Sequence, residues 1–317
     1  MKEQESSRIP LQIDIRDVIR KKNPRLLKSL PGFVLRYIER IIHQEENNHY
    51  LKKYKDCNGH QFNEAILKEW NIRIEVRHEH HIPEEGRFIF AANHPIGGIE
   101  SLAFMKIISK YHPRFRFPVN DILMHLTPYR EIFIPINKHG GYTKEAARLL
   151  EETYMSDEQV LYFPAGLVSR KRGKKIIDVE WKKSFITKAI QHRRDVVPVH
   201  ILGRNSDFFY NLSILRRMIG IKANIEMFYL VNEMYKQKNK TLVFTIGEPI
   251  PYTAFDKSKS DHEWAQYVRE IVYGLNPAGR YNSPKPPFST AKGKPHPPYY
   301  TSAQDLSGKG CTDLRQV

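Results

Sequence analysis

The feature that most narrows the fold is a change of texture near residue 72. From there on, short apolar runs at 72–76, 88–92, 132–136, 160–163, 196–201 and 242–246 alternate with helical stretches. Each run has the length of a strand, and the stretches between them, at 100–111, 143–154, 181–192 and 260–273, repeat apolar residues three and four apart. In the first of these, Phe104, Ile107, Ile108 and Tyr111 share one face. The spacing predicts an α/β fold, a central mixed sheet flanked by helices, over residues 71–276. Residues 1–70 lack this alternation and predict an amphipathic helical region. Its core is a hairpin in which Leu26, Leu30, Phe33, Val34, Tyr37, Ile38 and Ile41 recur at helical intervals around a break at Pro31-Gly32. Residues 277–317 are rich in Pro, Lys, Gly, Ser and Tyr without apolar periodicity, and predict a flexible tail.

Charge limits the partners. Fifty-one Lys and Arg against 35 Asp and Glu leave a net charge of +16 over 317 residues, a field that favours anionic lipid head groups, an acidic carrier protein or nucleic acid. No helix-turn-helix, zinc-finger or RNA-binding signature accompanies it, so no nucleic-acid partner is expected. Arg, Lys, His or Glu interrupts every apolar stretch well short of the roughly 18–20 residues a spanning helix needs. The first ten residues lack a secretory pattern, and the expectation is peripheral attachment at the cytoplasmic face of a membrane, with the basic helical hairpin as the docking element. Cys57 and Cys311 form no metal-type spacing. The run His78-Glu79-His80-His81 has no companion cluster at a ligand interval, so no metal is expected and a polar turn is the reading.

The segment that carries chemistry is Asn93-His94-Pro95-Ile96-Gly97-Gly98-Ile99-Glu100-Ser101. An apolar strand runs into an Asn-His pair, two glycines permit a tight path, and an acid falls in the first turn of the next helix. A carboxylate brought back onto Nδ1–H would leave Nε2 free to take a proton from a hydroxyl and return it to a leaving group, with no protein nucleophile. The same residues would also serve as a strand-to-helix cap, with Glu100 complementing the helix dipole. Both readings stand on these residues alone.

Further blocks add to this one: Glu131-Ile132-Phe133-Ile134-Pro135-Ile136-Asn137-Lys138, then Phe163-Pro164-Ala165-Gly166-Leu167-Val168-Ser169-Arg170, then Val197-Pro198-Val199-His200-Ile201. In this order they resemble the glycerolipid acyltransferases of the lysophospholipid-acyltransferase type, over about residues 74–251. The resemblance implies that His94 is the general base and Glu100 its orienting carboxylate. It also implies direct acyl transfer from a thioester of acyl carrier protein or coenzyme A to a lipid hydroxyl, without a further cofactor. By the same resemblance Asn93, Gly97, Gly98, Lys138, Phe163, Pro164, Gly166, Ser169 and Arg170 are the substrate-binding candidates. The basic run from Ser169 to Lys175 is expected to form an anion site, and Asp178, Trp181, Lys182, Lys183 and Ser184 to close the same pocket. His200 reads as a satisfied sheet residue.

Three departures shape the expected acceptor. Five residues rather than four separate the His from the acid, as in the branch associated with bacterial aminolipid synthesis; Ala165 stands in place of a Glu; and Pro135 and Ile136 occupy the positions where an Arg is usual. Arg is the natural bidentate partner of a phosphate, so its loss favours an acceptor with a carboxylate head. O-acylation of an N-(3-hydroxyacyl) glycine or ornithine lipid is therefore expected, with acylation of 1-acylglycerol 3-phosphate to phosphatidic acid as the alternative.

Overall fold

The computed structural model describes residues 12–136, 144–221 and 224–276. Lys138 and the tail at 277–317 lie outside the described residues. Seven strands form one sheet: β1 (Arg73–Arg77), β2 (Phe88–Ala92), β3 (Phe115–Asn120), β4 (Phe133–Ile136), β5 (Gln159–Tyr162), β8 (Asp195–Leu202) and β9 (Thr241–Ile246). Their spatial order is β1-β9-β8-β2-β5-β3-β4, and β6 (Arg170–Arg172) with β7 (Lys175–Ile177) makes a separate hairpin. Every neighbouring pair in the large sheet is parallel except β8 with β9, which makes the sheet mixed, as expected.

Strand β2 sits at the centre and is buried at all five positions. A strand covered on both faces needs apolar side chains on both, which is why it reads as an unbroken run. Phe88, Phe90 and Ala92 enter one core with Phe104 and Ile108 of α6 (Ile99–Ser109) and Phe62 and Ile66 of α5 (Gly59–Glu69). Ile89 and Ala91 enter the opposite core with Phe185 and Ile186 of α8 (Ser184–His192) and Ala265 and Val268 of α11 (Asp261–Gly274). The period of two thus builds a three-layer sandwich around this strand.

The N-terminal region is helical, as its pattern predicts, and comprises α1 (Ile15–Lys22), α2 (Pro24–Ser29), α3 (Gly32–Ile41), α4 (Gln44–Lys53) and α5. Pro24 stands at the first turn of α2 with Asn23 capping it, and Pro31 precedes α3, so the break at 31–32 is real. Ile15, Ile19, Leu35, Ile38 and Ile42 form a small core of their own. Leu51 of α4 and Leu67 of α5 instead join the core of the sheet. The remaining helices are α7 (Lys144–Met155), α9 (Asp207–Met218) and α10 (Tyr229–Tyr235).

Two features escaped the periodicity. Strand β3 carries Arg116 and Pro118 within its run, which mask its apolar character; Arg116 pairs with Glu158 at 2.9 Å and also donates to the Glu131 carbonyl. The second is Arg194, fully buried just before β8. Its guanidinium donates to the carbonyls of Thr153 (2.8 Å), Tyr154 (2.9 Å), Ser156 and Glu158 (2.8 Å), tying the C-terminal end of α7 to the turn that follows it. Burial lowers its pKa to about 10, still well above neutrality. Arg194→Met keeps the length of the side chain and removes every donor. Urea unfolding is expected to show a loss of about 3 kcal/mol, and a loss under about 1 kcal/mol would show that these carbonyls find other partners.

Candidate active site

The C-terminal end of β2 delivers His94, and α6 delivers Glu100 beneath it. Glu100 is wholly buried, and its carboxylate accepts the N–H of Ile96 (2.9 Å) and Gly97 (2.5 Å) at Oε1 and that of Gly98 (2.8 Å) at Oε2. His94 Nδ1 lies 3.1 Å from Oε1. That approach is too bent for a full hydrogen bond, so the contact is mainly electrostatic. Burial alone would raise the pKa of Glu100, but His94 and the N–H groups of Gly97 and Gly98 outweigh it, and the net direction is downward. The carboxylate is therefore ionised at neutral pH, holding both the loop and the ring.

The loop can wrap a side chain so closely only because of its glycines. Gly97 has φ of +108°, and a Cβ there would stand 2.7 Å from Val168 Cγ1 and 2.9 Å from Leu230 Cδ2. At Gly98, a Cβ would meet Met234 Sδ at 2.5 Å. Leu230 and Met234 both belong to α10, whose role no sequence signal announced.

Phe163 stacks on the His94 ring with centroids 4.1 Å apart and planes at 17°, and rests in turn against Phe117 at 5.2 Å. This fixes the plane of the imidazole while Nδ1 faces Glu100. Gly166, at φ +62°, closes the turn by donating to the Phe163 carbonyl at 2.9 Å, and the Pro164 carbonyl accepts the Lys182 N–H at 3.1 Å. The Lys182 ammonium lies over Gly166, 3.4 Å from where a side chain would begin. The N–H groups of Gly97, Gly98 and Gly166 are thus all engaged, and none points as a free donor toward a developing oxyanion.

Beneath the loop lies a second buried acid. Asp178 accepts the Ser169 hydroxyl at 2.6 Å, Trp181 Nε1 at 3.0 Å and the His94 backbone N–H at 3.3 Å to each oxygen. Its own N–H donates to the Tyr273 hydroxyl at 2.6 Å, and its carbonyl accepts Arg269 Nη2 at 2.7 Å. Burial pushes its carboxyl pKa up, against the pull of Ser169, Trp181 and His94. Asp178 and Trp181, expected at the pocket wall, lie under the His94 main chain instead.

Several expected binding residues turn inward in the same way. Asn93 donates to the Ile201 carbonyl (2.9 Å) and accepts the Ile201 N–H (2.7 Å), bolting the end of β2 to β8. Ser169 donates its N–H to the His94 carbonyl at 2.7 Å. Arg170 pairs at 3.3 Å with the fully buried Glu226, which also holds Arg216 at 2.8 Å. The run 169–175 therefore forms the β6–β7 hairpin rather than an open loop, and its first cation shares one buried carboxylate with Arg216. His200 is in the sheet as expected, but not satisfied: Nδ1 has no hydrogen-bond partner, and burial lowers its pKa to about 4, so the ring is neutral near pH 7. It lines a cavity of about 70 Å³ with Asn93, Ser169 and Tyr273. Residues 79–81 form the expected turn, where the rings of His78, His80 and His81 pack on one another. Among the described residues no three His, Cys, Asp or Glu side chains converge as metal ligands would.

The depressed pKa of Glu100 has a measurable sign. A group ionised more readily in the folded state contributes its stability in full above its ordinary value of 4.5, and loses that contribution as pH falls through the lowered folded value. Glu100→Gln, which sets an NH2 against backbone donors, is expected to cost about 1–3 kcal/mol at pH 7 and to flatten the acid limb of the stability curve below about pH 4.5. An unchanged acid limb would show that Glu100 is not the ionised keystone of the loop.

In sequence the chain is similar to known acyltransferases. A family described as "Acyltransferase" matches residues 17–279. A lyso-glycine lipid O-acyltransferase of Bacteroides thetaiotaomicron is 44% identical over 264 residues, covering 83% of this chain and 97% of that protein. A protein of the same name from Phocaeicola vulgatus is also 44% identical over 264 residues, covering 83% and 95%. Among solved structures, the 1-acyl-sn-glycerophosphate (LPA) acyltransferase PlsC of Thermotoga maritima aligns with a TM-score of 0.46 and 17% identity, over 85% of this chain and 95% of that one. The sequence resemblance to lipid acyltransferases is met by relatives that cover nearly their own full length, and this chain belongs to the acyltransferase family.

Proposed function

We propose that this protein O-acylates an N-(3-hydroxyacyl) glycine, converting a monoacylated glycine lipid into the diacylated form. The observation that carries the reading is the His94–Glu100 pair at the end of a buried strand, with Nδ1 facing the acid and Nε2 without a protein partner among the described residues. The relatives named lyso-glycine lipid O-acyltransferases, at 44% identity, favour glycine over ornithine. Phosphatidic acid synthesis is disfavoured by the same block that lacks its Arg: β4 ends on Pro135 and Ile136, and neither side chain offers a donor to a phosphate.

In the proposed step, the 3-hydroxyl of the acceptor gives its proton to Nε2 as its oxygen attacks the thioester carbonyl. The tetrahedral intermediate then collapses: the C–S bond breaks, the new C–O ester remains, and the imidazolium returns the proton to the departing thiolate. Glu100 stays ionised throughout and balances the positive ring between the two transfers. Phe163 keeps the ring from tilting. With the glycine N–H groups engaged, the Lys182 ammonium beside Gly166 is proposed as a cation for the reacting carbonyl or the carboxylate of the acceptor. The donor is an acyl thioester of acyl carrier protein or coenzyme A, and both are anions suited to the positive field of the chain. The acceptor is a bilayer lipid, so the reading includes peripheral attachment at the cytoplasmic face. No helix among the described residues is long and apolar enough to cross a membrane.

Lipids extracted from a host lacking this activity, then supplied with the wild-type chain or with His94→Ala, test the reading by mass spectrometry. The wild type is expected to restore the diacylated glycine lipid and deplete its monoacylated precursor. His94→Ala is expected to leave the precursor in place, with turnover of the purified protein reduced by about 10²–10⁴-fold. Formation of phosphatidic acid instead, or equal turnover by the variant, would overturn it.

A further inference from the structure

Helix α9 is apolar on a face it does not bury. Its inner side places Phe209 and Tyr210 against Val168 and Leu230, with Ser213 and Arg216 on the same side, all buried. Phe208, Leu212, Leu215 and Ile219, spaced by four, three and four residues, fall on one stripe about 100° away from that inner side. Three of these are more than half exposed: Phe208 at 51%, Leu215 at 53% and Ile219 at 61%, with Met218 beside them at 78%. A single exposed Leu needs no explanation, but a stripe with helical period that runs the length of a helix does.

The stripe does not end with α9. Phe208 packs edge-on against Tyr229 at 5.0 Å, and Tyr229 in turn meets Tyr37 of α3, ring to ring at 6.4 Å and hydroxyl to hydroxyl at 2.6 Å. Phe33, one turn before Tyr37 on α3, is 66% exposed. An aromatic bridge thus joins the open face of α9 to the N-terminal helices predicted to dock on lipid. The surroundings on α2 and α3 are basic: Lys28, Arg36 and Arg40 are all exposed, with the Arg40 guanidinium over the Tyr37 ring at 5.4 Å. Tyrosines at the edge of an apolar band rimmed by Lys and Arg match a water–lipid boundary, where the apolar stripe enters the acyl region and the cations meet phosphate.

We infer that the open stripe of α9, continued through Tyr229 onto α3, is the surface on which the protein seats itself on an anionic bilayer. The inference rests on the acceptor being a membrane lipid. Its place relative to the site follows from α10: Tyr229 opens that helix on the band, while Leu230 and Met234 press on Gly97 and Gly98. One short helix therefore joins the docking band to the loop that carries His94.

Cosedimentation with vesicles of phosphatidylcholine and phosphatidylglycerol, free of any acyl acceptor, tests this independently of the substrate. The full chain is expected to bind, and to bind less in high salt. Leu215→Gln with Ile219→Gln leaves charge unchanged and touches no core residue. It is expected to lower partitioning about tenfold or more, while thermal melting and turnover of detergent-dispersed acceptor stay as in the wild type. Wild-type partitioning by the double variant would overturn the inference. So would sedimentation equilibrium showing a wild-type dimer that the double variant dissociates, which would give the stripe to a second copy. Loss of vesicle binding with no glycine-lipid product from either protein would instead leave the docking surface standing and remove the proposed substrate.

Discussion

The arrangement depends on one buried negative charge. Removing a carboxylate from water is costly unless hydrogen bonds and an opposing charge replace its hydration, and Glu100 has both: three backbone N–H groups and the face of His94 that carries Nδ1. The loop after β2 is shaped by this requirement. Its path turns back over α6 so that Ile96, Gly97 and Gly98 can point their N–H groups at one side chain, and a residue larger than glycine at 97 would collide with Val168 and Leu230. The acid thus both sets the geometry of the loop and is the group toward which Nδ1 of the ring turns.

A second buried acid supports the first from below. Asp178 receives the His94 N–H, the Ser169 hydroxyl and the Trp181 indole, and is itself held by Tyr273 and Arg269 of α11. Segments distant in the chain, after β2, before β6 and in α11, therefore meet at one side chain directly under His94. Asn93 adds a lateral bolt to β8, and Phe163 a lid on the ring. In the proposed role of His94 as the base, such support limits the orientation entropy lost on reaching the transition state.

The sheet and its central strand were legible because β2, β5, β8 and β9 are covered on one or both faces and must be apolar. Strand β3 was not, because Arg116 spends its charge on Glu158 and the Glu131 carbonyl, a pairing that only the fold creates. At the site, His94 and Glu100 were legible from type and spacing. The inward turn of Asn93, Ser169 and Arg170 was not: their residue types suit a substrate equally well, and only the positions of Ile201, Asp178 and Glu226 decide their direction. Leu230 and Met234 carried no signal at all, since an apolar residue that fits a glycine is indistinguishable in sequence from any other core residue. Arg194 was invisible for a related reason, because its partners are backbone carbonyls.

In the proposed mechanism Glu100 holds His94 in the tautomer that leaves Nε2 unprotonated and open to a hydroxyl. Nitrogen NMR of the intact protein labelled with ¹⁵N-histidine, with His94 assigned by the signal lost in His94→Gln, reads this directly. The account predicts that the neutral ring carries its proton on Nδ1. A proton found on Nε2 would mean that the ring cannot accept one from an acceptor alcohol, and would contradict it.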